Sequence, residues 1–179
     1  MLVYSLLCVA LATGNALFWL HKWHEQGVEL CFADTMMTGV QPSFLLMLLI
    51  PPTLGLVHQL KFILEQPFVI CALDNRARLA RNLLAALLFI AFRAVMAVSI
   101  SSIALGALLF RGGKPCTWES GASYYAYMTG QTLITPVKTG SLIVWQAMTI
   151  WLTVLLVSIL FLSINLSCES HQLGSILSW

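Results

Sequence analysis

Arg93 sits inside Leu88-Phe89-Ile90-Ala91-Phe92-Arg93-Ala94-Val95-Met96, a guanidinium set among apolar side chains. At bilayer depth such a charge costs about 2.5–3.5 kcal/mol on insertion scales, and it is characteristically paired or turned to a cavity. His58 and Glu65, on the preceding apolar stretch and just past it, are the candidate partners. Together the three form a candidate intramembrane polar set, suited to a contact within a bundle or along a substrate path. The other reading is that the helix carrying Arg93 starts near Asp74, which places Arg93 shallower and lets its side chain snorkel toward the interface.

Other chemistry-bearing residues are sparse. Cys31 and Cys116 fall on the two longer polar stretches between apolar runs, where an oxidising compartment could join them in a disulfide or leave two free thiols. His21, His24, Glu25 and Glu29 have helical spacing for a surface metal site, but on an interfacial loop such a group is ordinarily solvated, so no metal is expected. There is no Gly-rich phosphate loop, no HExxH and no GxSxG, and no Cys/His spacing of a metal or redox motif. The reading is a non-enzymatic protein without a cofactor. An intramembrane enzyme acting on lipid or peptide would have to draw on Arg93, His58 or Glu65.

The elements that must position these residues follow from hydropathy. Hydrophobic residues make up 59% of the 179, charged residues only 9%, and mean hydropathy is +0.88. Crossing a hydrocarbon core of roughly 30 Å takes about 20 mostly apolar residues. Four stretches qualify, Leu2 to Leu20, Phe44 to Leu64, Leu83 to Phe110 and Leu142 to Leu166. The expected fold is all-α, a single membrane domain over residues 1–179 built as a four-span bundle. The first stretch is read as an uncleaved span rather than a signal peptide, because no Lys or Arg precedes it and its apolar run continues through Leu20. The formal net charge of +2, with no basic stripe interleaved with aromatics, gives no nucleic-acid surface.

Within the spans, Pro51-Pro52 removes two backbone donors and is expected to break or kink the second helix, as a hinge or as a bend that fits the bundle. Ser99, Ser101, Ser102 and Gly106 make a small-residue face suited to close helix packing. Trp19 and Trp23, with His21, Lys22 and His24, read as an interfacial belt closing the first span. Residues 21–43 and 111–141 are expected as outer loops, the second with a short surface helix near Ala122 to Thr129.

Between the second and third spans lies the 65–82 hinge. Pro67-Phe68-Val69-Ile70-Cys71-Ala72-Leu73 reads as a short amphipathic interfacial helix, followed by Asp74-Asn75-Arg76-Ala77-Arg78-Leu79-Ala80-Arg81. Three arginines fall within six residues. Loop counts tie at four basic residues a side, Lys61, Arg76, Arg78 and Arg81 against Lys22, Arg111, Lys114 and Lys138. The tight basic group next to a span, with Glu25, Glu29, Asp34 and Glu119 opposite, favours hinge and termini in the cytoplasm of a cell-membrane protein.

This order of parts, over roughly residues 40 to 166, resembles type-2 ABC exporter permeases, above all the small permease subunits of Gram-positive peptide and antibiotic exporters. The stretch from Pro67 to Asn82 looks like their intracellular coupling segment. Such permeases usually carry six spans, where this sequence supplies four. The resemblance implies a transport subunit exporting peptide or amphiphilic substrates. It also implies a separate ATPase docking on Phe68, Asp74, Arg76, Arg78 and Arg81, membrane lipid around the chain, and homo- or hetero-oligomers. A small stand-alone membrane immunity, scaffold or assembly protein is the alternative reading.

Overall fold

Backbone N–H and C=O groups in hydrocarbon have no water to bond, so a long apolar run satisfies them internally by winding into a helix. The computed structural model, which describes residues 2–64, 76–111, 116–131 and 137–177, is all-α in this way. Its helices are α1 (Leu2–Glu25), α2 (Phe32–Thr38), α3 (Ile50–Leu64), α4 (Arg76–Leu109), α5 (Tyr124–Thr129) and α6 (Thr139–Leu177), with a π-helical turn over Phe44–Leu49 leading into α3. Among the described residues four stretches are long and apolar enough to cross a membrane, namely Leu2–Glu25, Phe44–Ile63, Ala80–Leu109 and Thr139–Asn165.

These helices carry apolar side chains on all sides. Val3, Met47, Phe62, Leu108 and Val144 are all more than 60% exposed, and no more than 39% of any spanning window is buried inside the protein. In water that surface would drive aggregation, whereas against lipid tails it costs nothing. Burial inside instead selects small and branched residues. Ala91, Ala94, Ala97 and Val98 of α4 pack with Cys8 and Ala12 of α1 and with Ile150 and Val154 of α6 in the main core. Small side chains on that stripe let α4 approach both neighbours closely, and α4 is the helix that α1, α2 and α6 all contact.

Pro51 and Pro52 do not break their helix. They lie in the first turn of α3, and the irregularity sits just before them, where the Ile50 N–H bonds the Leu45 carbonyl in π-type winding. A proline ring collides with the carbonyl four residues earlier, and the wider π turn relieves that clash while the helix runs on. The amphipathic helix expected around Phe68, together with Glu65 and Asp74, lies outside the described residues. The connection between the first two membrane-length stretches differs most from expectation. Instead of remaining at the surface it folds as α2, and α2 is buried against α1, α4 and α6.

Candidate functional site: a short helix held among the spans

Seven residues, Phe-Ala-Asp-Thr-Met-Met-Thr, are too few for a stable isolated helix, so α2 depends on what holds its ends. At its start the Cys31 backbone N–H donates to Asp34 Oδ2 at 2.7 Å, half of a capping box. The other carboxylate oxygen, Oδ1, accepts from Trp118 Nε1 at 2.7 Å. Trp118 belongs to the second connection, so one carboxylate ties that connection to the start of α2. Asp34 is fully buried. Burial holds its carboxyl above the ordinary 3.8, while the donors from Trp118 and Cys31 pull the other way. The neighbouring Cys31 thiol is pushed up to about 11 by burial and by the Asp34 charge.

The end of α2 rests on polar groups from three spans. Asn15 Nδ2 of α1 donates to the Thr38 carbonyl at 2.9 Å, and the Gly39 and Val40 amides bond the carbonyls of Met36 and Met37. The orphan carbonyls of the last turn are thereby satisfied inside an apolar bundle. Beside them Gln146 of α6 donates to Ser102 Oγ of α4 at 3.1 Å, leaving Gln146 Oε1 and Ser99 Oγ as buried atoms without a hydrogen-bond partner. Two glycines make the fit possible. A Cβ on Gly39 would collide with the Gln146 amide nitrogen, and one on Gly106 would lie 2.6 Å from the Phe32 ring and 2.8 Å from Thr35 Oγ1. Of the small-residue face expected on α4, Gly106 thus receives α2, and Ser102 bonds α6.

Above α2 the two connections are joined. The Glu29 N–H donates to the Ala122 carbonyl at 2.8 Å and Ser120 Oγ donates to Glu29 Oε2 at 2.9 Å. Trp23 packs on Tyr124 with ring centroids 4.2 Å apart, and Trp118 stacks on Tyr125 at 5.7 Å. Lys22 lies 5.0 Å over the Trp19 ring. An open cleft of about 600 Å³ remains at this end, lined by His24, Val28, Glu29, Phe110 and Thr117 among others.

The residues singled out by sequence distribute as follows. Cys31 and Cys116 enter one apolar cluster with Ala33, Trp118 and Leu142, and both thiols are free. Arg93 has no contact with His58, and its other expected partner, Glu65, lies outside the described residues. Arg93 Nη1 donates to Ser5 Oγ of α1 at 3.4 Å, and its guanidinium lies 4.9 Å from the Phe89 ring centroid. His58 is exposed and faces Phe161 of α6, edge to face at 6.5 Å. Arg76 opens α4, and Arg78 and Arg81 are exposed on its first turns. Phe68, Asp74 and Glu65 are outside the described residues. His21 pairs with Glu25 at 3.3 Å on the surface, and no group of three metal-ligating side chains converges among the described residues.

Sequence reasoning counted Asp34 only as one of the outer acids and missed Asn15, Gly39, Trp118 and Gln146. The available signal was local, Cys31-x-x-Asp34 as a helix start and Gly39 as its stop. Compared with known proteins, the chain matches no family model, no curated protein and no solved structure. Fold and site therefore define its class unaided, as an all-α bundle whose described residues include four membrane-length helices enclosing the short helix α2.

Proposed function

We propose that this chain is a non-enzymatic membrane subunit of a transport complex, a permease-like partner of a separate ABC-type ATPase that moves peptide or amphiphilic substrates. The observation that supports the reading best is α2. Irregular backbone at membrane depth is tolerated only where protein buries it or a cavity receives it, and discontinuous helices with exposed ends are a recurring feature of transporter sites. Here a seven-residue helix enters from one end, and its last turn meets Asn15, Ser102 and Gln146 among the spans. As a plug at the outer mouth, α2 would leave the bundle only when the Asp34–Trp118 bond and the joined connections open together.

The ATPase would dock at the opposite end, on the 65–82 hinge and the exposed Arg78 and Arg81. Purification of the chain from its native membrane is expected to bring an ATPase with it. Substituting Arg76, Arg78 and Arg81 with Glu is expected to abolish that co-purification while the helical content stays unchanged. An intact complex in the triple variant removes the docking surface. Absence of any ATPase from the wild-type preparation removes the transport reading in favour of a stand-alone immunity, scaffold or assembly protein.

A further inference from the structure

Arg93 is placed at the middle of α4, yet its charged end is not at the middle of the bundle. Asn15 bonds the Thr38 carbonyl, and the adjoining Gly39 packs on Val98, so Asn15 of α1 and Val98 of α4 mark one level. From that level Ser5 lies ten residues toward the start of α1, about 15 Å along the axis, whereas Arg93 lies five residues along α4, about 7.5 Å. The guanidinium nevertheless reaches Ser5 Oγ at 3.4 Å. The extended side chain covers the difference, so it runs toward the end where α1 begins, the geometry of a snorkelling arginine.

What surrounds the guanidinium there is incomplete as a binding shell. Five N–H donors are available in a planar fork. Nη1 makes one long hydrogen bond to Ser5, and one face lies near Phe89. Among the described residues no carboxylate lies within ion-pair distance of Arg93. The α3 helix, whose Thr53 bonds Tyr4 next to Ser5, ends at Leu64, about 16 Å further on. The residue is only half-buried, and Phe89, Phe92 and Met96 around it are exposed on the lipid-facing side. Lipid tails cannot accept from the remaining donors. The phosphodiester of a lipid headgroup can, and guanidinium binds phosphate oxygens two at a time.

We propose that Arg93, Ser5 and Phe89 form a binding site for the phosphate of an anionic glycerophospholipid in the leaflet on the side where α1 begins. The lipid's acyl chains then lie along Phe92 and Met96, and its phosphate completes the Arg93 shell.

Native mass spectrometry of the full chain released from mixed phosphatidylglycerol and phosphatidylcholine bilayers tests this. Wild type is expected to retain one phosphatidylglycerol about fivefold in preference to phosphatidylcholine, the order expected for a single cation at a lipid surface. Arg93→Gln loses that preference, Arg93→Lys keeps part of it, and the Arg78→Gln/Arg81→Gln double variant keeps all of it. Circular dichroism of each variant reports folding, and should Arg93→Gln not fold, the comparison of Arg93→Lys with wild type decides. Equal retention of the two lipids by wild type overturns the proposal, as does undiminished preference in both Arg93 variants or loss of preference in the Arg78/Arg81 variant. Displacement of the lipid by inorganic phosphate would place a soluble anion in the site and overturns the lipid assignment.

Discussion

Asp34 concentrates the most electrostatic cost in the smallest space, because it is wholly buried and its partners are two neutral donors rather than a cation. Removing the carboxylate leaves Trp118 Nε1 and the Cys31 N–H unpaired in an apolar cluster. At about 1–3 kcal/mol for each buried unsatisfied group, Asp34→Ala is expected to destabilise the protein by about 2–6 kcal/mol in a denaturation series. The pH dependence has a definite sign. Burial raises the folded-state pKa above the ordinary 3.8, so the proton binds more tightly to the folded protein than to the unfolded chain. The stabilisation this gives is full below the unfolded pKa and is lost as pH rises through the folded one. Wild type should therefore gain stability relative to Asp34→Asn as pH falls from neutral toward 4, measured as the difference in melting temperature. A wild type that stays level with Asp34→Asn across that range, or loses stability relative to it on acidification, would show that burial does not outweigh the Trp118 and Cys31 donors in setting the Asp34 pKa.

At the scale of elements, the seating of α2 is a matter of two missing side chains. Gly39 and Gly106 let its last and first turns touch α6 and α4 where any Cβ would collide. Forcing extra volume into a packed interior costs about 1–3 kcal/mol, so Gly39→Ala should lower stability by that much. Because the collision is with Gln146, the Gly39→Ala/Gln146→Ala pair should recover part of the loss, with a coupling of at least about 0.5 kcal/mol in a double-mutant cycle. Strict additivity would mean that α2 does not press on α6. This element also marks the boundary of what sequence could supply. The four long helices were legible because an apolar run of 20 residues has one stable form in lipid. In α2 the alternation of Ala, Asp, Thr and Met has no such signature, and its burial comes from Asn15, Trp118 and Gln146, far away in the chain. Arg93 shows the same limit, since its contact with Ser5 spans 88 residues of sequence and no local pattern announces it. The Pro51-Pro52 irregularity was foreseen, but not that the preceding turn would absorb it as π winding.

For the whole molecule the open variable is which end faces the cytoplasm, and the geometry of Arg93 bears on it. The loops alone tie at four basic residues each. Arg93, attached to neither loop, sends its guanidinium toward the end that carries Lys61, Arg78 and Arg81, while the other end holds Asp34 and the Glu29 that joins the two connections. Basic residues near span ends are retained on the cytoplasmic side, so the fifth cation turns the balance. The start of α1 and the later turns of α6 lie together, at the Arg78 end, where Tyr4, Leu87 and Leu162 share one cluster. Single cysteines put at Arg78 and at Glu119, both exposed, in a chain with its five native cysteines replaced, should then respond oppositely to a membrane-impermeant maleimide. The Glu119 position should label in intact cells, and the Arg78 position only after permeabilisation. Adding Arg93→Gln should leave a larger fraction of molecules labelled at Arg78 from outside, because the charge balance returns to a tie. Labelling of Arg78 alone in intact cells would invert the molecule, moving the α2 plug to the cytoplasmic mouth and the proposed ATPase surface to the outside, where no ATPase could use it.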